Sequence, residues 1–509
     1  MIKKTLFKAL ALHDKGQLEE AASLYLKILA QHPRTADALN LLSILENQRN
    51  NPQRAVELID RALEVRPDVA DFHCSRGDAL NGLKRFDEAL VSYDQALALN
   101  SNDIRALSCR GDLLLALQRF DEALASYDRA IALKPDFADA FNNRGTALKS
   151  LGRRDDALDS YDRALALKPG LAEALLNRGK ILSELDRLDA AMTSFARALA
   201  VNPGDRIVRF ARCYVRLLNG DFALGWRDYA ARPSVRAVPS HLQREPLPKD
   251  LRGERLLVLS DQGLGDEIFF LRFAPELKAR GSTVFYRADE RIAAMIARSG
   301  AVDHVVGPEE TPASLSRTMS VGDLPFLLGM SSAAAIPPSL HLPPLPASLE
   351  AMAACLGALG PAPYIAVTWR AGSKLSLYKE APRLEIAKAV AGVPGTLIAL
   401  QRLPHDGEIE EFAREVGRPA HDLTALNESL EDMLAALSLI DRYVCVSNTN
   451  VHLREGVGRP SHVLIPYPSE FRWMAKGPES PWFPGTRTYR QTLEGDWRAA
   501  FKILEEDLA

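Results

Sequence analysis

One period governs the start of the chain and constrains its fold more than any other feature. Ala21, Ala55, Ala89, Ala123, Ala157 and Ala191 stand 34 residues apart without a miss. Pro33, Pro67, Pro135, Pro169 and Pro203 keep the same spacing, with Asn100-Ser101 filling the one gap. Gly77, Gly111, Gly145 and Gly179 stay in step, as do Tyr93, Tyr127, Tyr161 and Phe195, and Ala62, Ala96, Ala130, Ala164 and Ala198. A fixed period of this length marks an array of small units, each too small to bury its own apolar face. Within a unit the pattern predicts two amphipathic helices. Small residues let them approach, an aromatic fills the space between them, and proline stops the second.

These registers resemble the tetratricopeptide repeat over residues 1–203, about six units. The resemblance implies an all-α superhelix with a concave groove that holds another protein chain. Arg76, Arg110, Arg144 and Arg178 recur just before each glycine. One reading makes them an acceptor-protein groove, a ladder of cations gripping an extended partner. The other packs their stems and leaves their heads in water. Asn40, Asn143 and Asn177 are too irregular for an asparagine ladder.

The remaining composition narrows the setting. A chain of 509 residues exceeds one core. A net charge of -3 gives no reason to expect nucleic acid or an anionic membrane. Cys74, Cys109, Cys213, Cys355 and Cys445 are scattered and odd in number, which reads as reduced thiols in a cytoplasmic protein. Lys8, His13 and Asp14 interrupt any apolar leader, so the N-terminus reads as a first repeat helix. No apolar run reaches the 18 residues of a membrane span.

Residues 204–250 read as capping helices that lose the period, followed by a Pro-rich linker. Alternating strands and helices follow. Apolar runs at Arg255–Ser260, Thr283–Tyr286 and Ala301–Val306 predict one α/β block over 251–350. Runs at Tyr364–Trp369, Gly395–Leu400, Arg442–Val446 and His462–Ile465 predict a second over 351–509. A ligand would lie at the C-terminal ends of the strands.

Asp261-Gln262-Gly263-Leu264-Gly265-Asp266 with Phe270-Leu271-Arg272-Phe273 resembles the opening motif of heptosyltransferase-like glycosyltransferases. Thr368-Trp369-Arg370-Ala371-Gly372, Leu400-Gln401-Arg402 and Ser447-Asn448-Thr449-Asn450-Val451-His452 resemble later blocks. So do Pro466-Tyr467-Pro468 with Arg472-Trp473, and Ser480-Pro481-Trp482-Phe483-Pro484. The resemblance covers residues 217–508 and implies the GT-B fold. It also implies transfer of a sugar from a nucleotide donor, with no cofactor beyond that co-substrate. The fusion with repeats is similar to bacterial protein glycosyltransferases, flagellin-modifying enzymes among them.

The chemistry has its own logic. A nucleotide sugar carries phosphate, and phosphate needs donors and positive charge. Ser447, Asn448, Thr449 and Asn450 follow a strand and precede a helix, whose first N–H groups and dipole attract an anion. His452, in the first turn, offers a donor or simply packs. Arg370 can fork onto phosphate oxygens, with Lys374, Lys379, Gln401 and Arg402 from neighbouring loops. Lys379 matches a lysine that the family places near the donor phosphate. Gly263 and Gly265 are expected to form a tight turn. Asp266 is then the candidate general base for inverting transfer, with helix capping as its alternative role and Glu267 as the fallback.

The second half has no Asp-x-Asp and no His/Cys/carboxylate cluster, so no metal site is expected. Where the family has Asp-Thr, this chain has Ser447-Asn448, a change that suits an acidic sugar. The expectation is therefore a metal-independent protein O-glycosyltransferase acting on Ser or Thr. A CMP-linked nonulosonic acid is the expected donor, ahead of UDP-sugars, and flagellin the expected acceptor. The alternatives are a degenerate transferase serving as an adaptor or chaperone, and an enzyme acting on lipopolysaccharide-type glycans.

Overall fold

The computed structural model describes residues 2–232, 245–261, 263–371 and 379–509, so most of the Pro-rich linker, Gln262, Gly372 and Lys374 lie outside the described residues. Two compact units divide the chain. One comprises Met1–Leu182 with Ala196–Asn202, the other Ser183–Phe195 with Pro203–Ala509.

The first unit is built of helix pairs. They are α1 (Ile2–Asp14) with α2 (Leu18–Gln31), α3 (Ala36–Gln48) with α4 (Pro52–Val65), α5 (Ala70–Gly82) with α6 (Phe86–Leu99), and α7 (Ile104–Ala116) with α8 (Phe120–Leu133). Then comes α9 (Ala138–Ser150) with α10 (Arg154–Leu167), followed by α11 (Ala172–Glu184) and α12 (Leu188–Val201), whose residues Ser183–Phe195 are grouped with the second unit. Pairing within a repeat explains why Gly and Tyr share a register. A Cβ on Gly77, Gly111 or Gly145 would lie 2.5, 2.7 or 2.7 Å from the rings of Tyr93, Tyr127 and Tyr161 respectively. Those tyrosines are fully buried. Tyr93 and Tyr127 keep their hydroxyls satisfied by donating to Asp78 and Asp112, each at 2.7 Å.

The arginine ladder is corrected by the structure. Each arginine reaches back to an aspartate on the preceding pair: Arg76 to Asp60 at 2.7 Å, Arg110 to Asp94 at 2.7 Å, Arg144 to Asp128 at 2.6 Å and Arg178 to Asp162 at 2.5 Å. Arg76, Arg110 and Arg144 also donate to Ser92, Ser126 and Ser160 on their own pair. The ladder therefore stitches consecutive repeats together, and its charge is spent inside the unit rather than held out to a partner.

The period does not stop at residue 203. The first helices of successive pairs begin at Ala36, Ala70, Ile104, Ala138, Ala172 and then Arg206. The pair α13 (Arg206–Leu218) and α14 (Phe222–Tyr229) keeps the 34-residue step, with Tyr229 buried at the aromatic register. Sequence reading missed this because Cys213 replaces the glycine and Gly225 the alanine. Arg212, at the ladder register, now forks onto Asp228 of its own pair at 2.7 and 2.8 Å.

The second unit carries two parallel sheets. The first lobe runs β1 (Arg255–Leu259), α15 (Leu264–Leu271), α16 (Ala274–Ala279), β2 (Thr283–Arg287), α17 (Glu290–Ser299), β3 (His304–Val306), β4 (Arg317–Ser320) and α18 (Leu324–Leu327). Its strand order is β3-β2-β1-β4, all parallel. Helices α15 and α16 are separated near Pro275, which cannot donate to the preceding turn.

Helix α19 (Pro346–Leu359) leads into the second lobe: β5 (Tyr364–Thr368), α20 (Arg383–Ala391), β6 (Thr396–Ala399), α21 (Glu408–Val416), β7 (Ala420–Asp422), α22 (Leu430–Leu439), β8 (Arg442–Val446), α23 (Thr449–Gly456) and β9 (His462–Ile465). It closes with β10 (Glu479–Ser480), β11 (Phe483–Arg490) and α24 (Arg498–Leu508). The order is β10-β11-β9-β8-β5-β6-β7, antiparallel only between β10 and β11. In each lobe the first strand lies inside the sheet and the order reverses beside it, between β1 and β4 and between β5 and β8. In open α/β sheets ligands bind at such reversals, beyond the strands' C-terminal ends.

The closing helices α13 and α14 belong to this unit's core. Trp226 packs edge-on against Phe270 at 5.9 Å, Phe471 at 5.7 Å and Trp482 at 5.8 Å. Arg232 follows α14 and is fully buried. It donates to both Asp261 and Asp323, to Ser320 Oγ at 2.7 Å and to the Tyr229 carbonyl at 3.3 Å. Asp261 ends the segment after β1, so Arg232 anchors the loop that leads to Gly263. No helix among the described residues is long and apolar enough to cross a membrane.

Candidate functional site

A cavity of about 690 Å³ opens at the C-terminal ends of β1, β5 and β8. The first lobe contributes Gly263, Gly265, Asp266 and Arg291. The second contributes Arg370, Lys379, Arg402, Asn427, Ser447, Asn448, Thr449, Asn450, His452 and Arg472. Of the described residues that sequence reading gave to donor binding or catalysis, all line this cavity except Gln401 and the fallback base Glu267.

Gln401 is fully buried behind the wall. Its Oε1 accepts from the N–H groups of Trp369 and Arg370 at 3.1 and 3.0 Å, and its Nε2 donates to the carbonyls of Arg370 and Arg402. All four bonds its amide can make are used, so it ties two loops together and has nothing left for a ligand.

The loop after β8 turns directly into α23. Asn448 is the N-cap, its Oδ1 accepting from Val451 N–H at 3.2 Å and its Nδ2 donating to the Tyr443 hydroxyl at 3.1 Å. An asparagine caps without adding charge, which leaves the positive end of the helix open to an anion.

Gly263 and Gly265 serve differently from the tight turn expected. Gly263 is the N-cap of α15, with an extended backbone and open space where a Cβ would stand. A Cβ on Gly265 would meet the His452 ring at 3.2 Å and Thr449 Oγ1 at 3.5 Å, so this glycine permits the two lobes' close approach. Asp266 is the third residue of α15 and does not cap it. Its carboxylate instead meets the guanidinium of Arg472 from the other lobe. Glu267 faces away, buried, accepting from Asp289 N–H at 3.1 Å, and burial pushes its carboxyl above the usual range.

His452 is enclosed by Phe269 at 5.9 Å and Phe483 at 5.3 Å, ring edge to face. Burial, with help from Arg272 and Lys379, pulls its imidazolium down to about 3. The ring is therefore neutral at physiological pH, and its buried Nδ1 has no hydrogen-bond partner among the described residues.

Most of the cavity's cations already face carboxylates. Arg370 forks onto Glu408 at 3.0 Å through both terminal nitrogens. Burial alone would raise Glu408, but Arg370, the His405 N–H and the Trp369 indole outweigh it and hold the carboxyl at about 2. Lys379 meets Glu470, which also accepts from Ser447 Oγ at 3.0 Å and lies 3.6 Å from Arg472. Arg402 lines the cavity with no carboxylate in ion-pair reach among the described residues. A further pair, Arg298 of α17 with Glu431 of α22 at 2.6 and 2.8 Å, also bridges the lobes.

Sequence reading missed Glu408, Glu470, Arg291 and Asn427. Glu470 stood within a quoted block, between Pro468 and Arg472, and its charge was the available signal. Glu408 lies 38 residues from Arg370 and gave none.

The chain thus joins tetratricopeptide repeats to a two-lobed α/β body. Models described as tetratricopeptide repeat match residues 7–64, 48–104, 138–171 and 172–205, and one described as TPR repeat matches 111–152. Protein FlbA of Caulobacter vibrioides is 28% identical over 329 residues, covering 57% of this chain and 53% of FlbA. The chain therefore spans about half of FlbA. Because the helix pairs end at Tyr229, that match extends beyond them. Protein O-mannosyl-transferase TMTC1 of Mus musculus is 32% identical over 95 residues, covering 18% of this chain and 10% of TMTC1. Among solved structures, MamA is 24% identical, covering 32% of this chain and 94% of its own, with a TM-score of 0.30. PilF of Pseudomonas aeruginosa is 20% identical, covering 41% and 95%, with a TM-score of 0.38.

Proposed function

We propose that the second unit is a metal-independent inverting glycosyltransferase of GT-B type and that the repeats recruit its protein acceptor. One observation carries the reading. At the order reversal of the second sheet, the neutrally capped start of α23, Lys379 and Arg402 converge on one cavity. Across it, the first lobe's order reversal presents Asp266. Helix N–H groups and cations suit the phosphate of a nucleotide sugar. Asp266 takes the proton of an acceptor hydroxyl as its oxygen bonds to the anomeric carbon, while the bond from that carbon to the phosphate oxygen breaks and the nucleotide leaves. The 95-residue likeness to a protein O-mannosyl-transferase supports the reading. A CMP-linked nonulosonic acid remains our choice of donor, a Ser or Thr hydroxyl of a protein such as flagellin our choice of acceptor.

A second reading, a degenerate transferase kept as an adaptor, is favoured by the pairing of Arg370, Lys379 and Arg472 with carboxylates of the protein itself. A thermal-shift panel of CMP, UDP, GDP, ADP and their sugar conjugates separates the two. A ligand at 100 times its Kd stabilises what it binds by about 2.7 kcal/mol. A shift with one base supports the transferase, and Asp266→Asn should then abolish transfer while binding persists. No shift with any nucleotide favours the adaptor.

A further inference from the structure

We infer that Arg472 is a shared cation that couples anion binding in the cavity to the release of Asp266. The inference rests on the nucleotide-sugar reading of that cavity. Three observations support it. Arg472 follows β9 in the second lobe, yet its guanidinium holds Asp266 of α15 in the first. It lies over the faces of Phe269 at 4.9 Å and Phe471 at 5.3 Å, rings of both lobes that keep the head at the seam while its N–H fork can change partner. Both Arg472 and Asp266 line the cavity, beside Ser447 and the start of α23, where an anionic ligand would sit.

The electrostatics follow from the count of charges. Asp266 and Glu470 share Arg472, and Glu470 also takes Lys379. With the cavity empty of ligand, Asp266 is neutralised by its partner and is a poor acceptor for a hydroxyl proton. A phosphate arriving at α23 competes for the same guanidinium, because a fork of N–H donors prefers the ligand with more negative oxygens. Arg472 then turns towards the ligand, and Asp266 becomes free to accept a proton. Arg472 is thus a positioning residue, and it imposes an order in which donor binding precedes acceptor activation. Simple like-charge repulsion by Asp266 would persist without Arg472. Competition for its guanidinium would not.

Calorimetric titration of the full chain with CMP, UDP and inorganic pyrophosphate tests this. Asp266→Asn removes the competitor and should bind the anion that wild type binds about tenfold more tightly. Arg472→Met should weaken binding, Arg472→Lys should restore part of it, and Asp266→Asn should give no gain on the Arg472→Met background. Should Asp266→Asn fail to fold, Asp266→Ser carries the same expectation. Equal or weaker binding by the Asp266 variant, or a gain that survives loss of Arg472, overturns the inference and leaves the nucleotide-sugar reading intact. Absence of binding by wild type and variant alike removes both.

Discussion

Replacing Arg232 with methionine tests how the loop that leads to Gly263 and the start of α15 is held. In the wild type the guanidinium is fully buried between Asp261 and Asp323, with Ser320 and the Tyr229 carbonyl taking further donors and the Tyr229 ring 4.9 Å away. Burial works against this charge, but Asp323 and Asp261 outweigh it and raise the guanidinium further above its ordinary value. Methionine keeps much of the volume and removes the charge, leaving two carboxylates with side chains only 4% and 10% exposed. Removing one partner of a buried pair typically costs about 3–5 kcal/mol, because a bare charge remains. For a unit of this size, about 4 kcal/mol lowers Tm by roughly 6 °C. All five tryptophans lie at Trp226 or beyond, so tryptophan fluorescence follows the second unit alone. The double variant Arg232→Met/Asp323→Asn should recover part of the loss, since one bare charge is gone. A loss below about 1 kcal/mol, or a double variant worse than the single, would refute the reasoning.

Two further predictions concern a buried acid and a repeat glycine. Burial pushes the Glu455 carboxyl up to about 7, partly offset by Thr486, Arg272 and Arg454. An acid raised in the fold lends stability that is present below its unfolded value of about 4.5 and is lost as pH rises towards 7. Glu455→Gln should therefore gain on the wild type between pH 5 and pH 8, by at most about 3 kcal/mol, in urea titrations read by tryptophan fluorescence. A difference that does not change with pH refutes it. Gly145→Ala places a methyl 2.7 Å from the buried Tyr161 ring, which is locked between helices. The first unit should lose about 1–3 kcal/mol by circular dichroism, despite alanine's better helix propensity, and Gly145→Ala/Tyr161→Leu should not add the two losses.

The repeats were legible because each unit restates its packing rule, so one accidental match is outvoted by five others. The role of the arginine ladder was not read, although its answer shared the period. Asp60, Asp94, Asp128 and Asp162 stand 16 residues before each arginine, on the neighbouring pair. In the second unit the loops that line the cavity were legible, since each motif follows an apolar strand and the strand ends there. Which charges are already neutralised was not. Glu408 reaches Arg370 from α21 and Arg472 reaches Asp266 from the other lobe, pairings set by topology rather than by spacing. Gln401 shows the same limit, because a polar residue at a strand's end looks alike whether it faces a ligand or two backbone amides.

The seventh helix pair gives the chain an unusual seam. Its spacing descends from the repeats, yet its tryptophan and tyrosine are buried against Phe270, Phe471 and Trp482. Any fragment that begins at the first strand, near residue 251, would open a wound the size of two aromatic side chains in the α/β body and strip Asp261 and Asp323 of their only buried cation among the described residues. A fragment that keeps this pair has to begin before Arg206, at the boundary where the sequence reading placed the end of the array. The pair that the period counts as one more repeat is thus also the first piece of the α/β body.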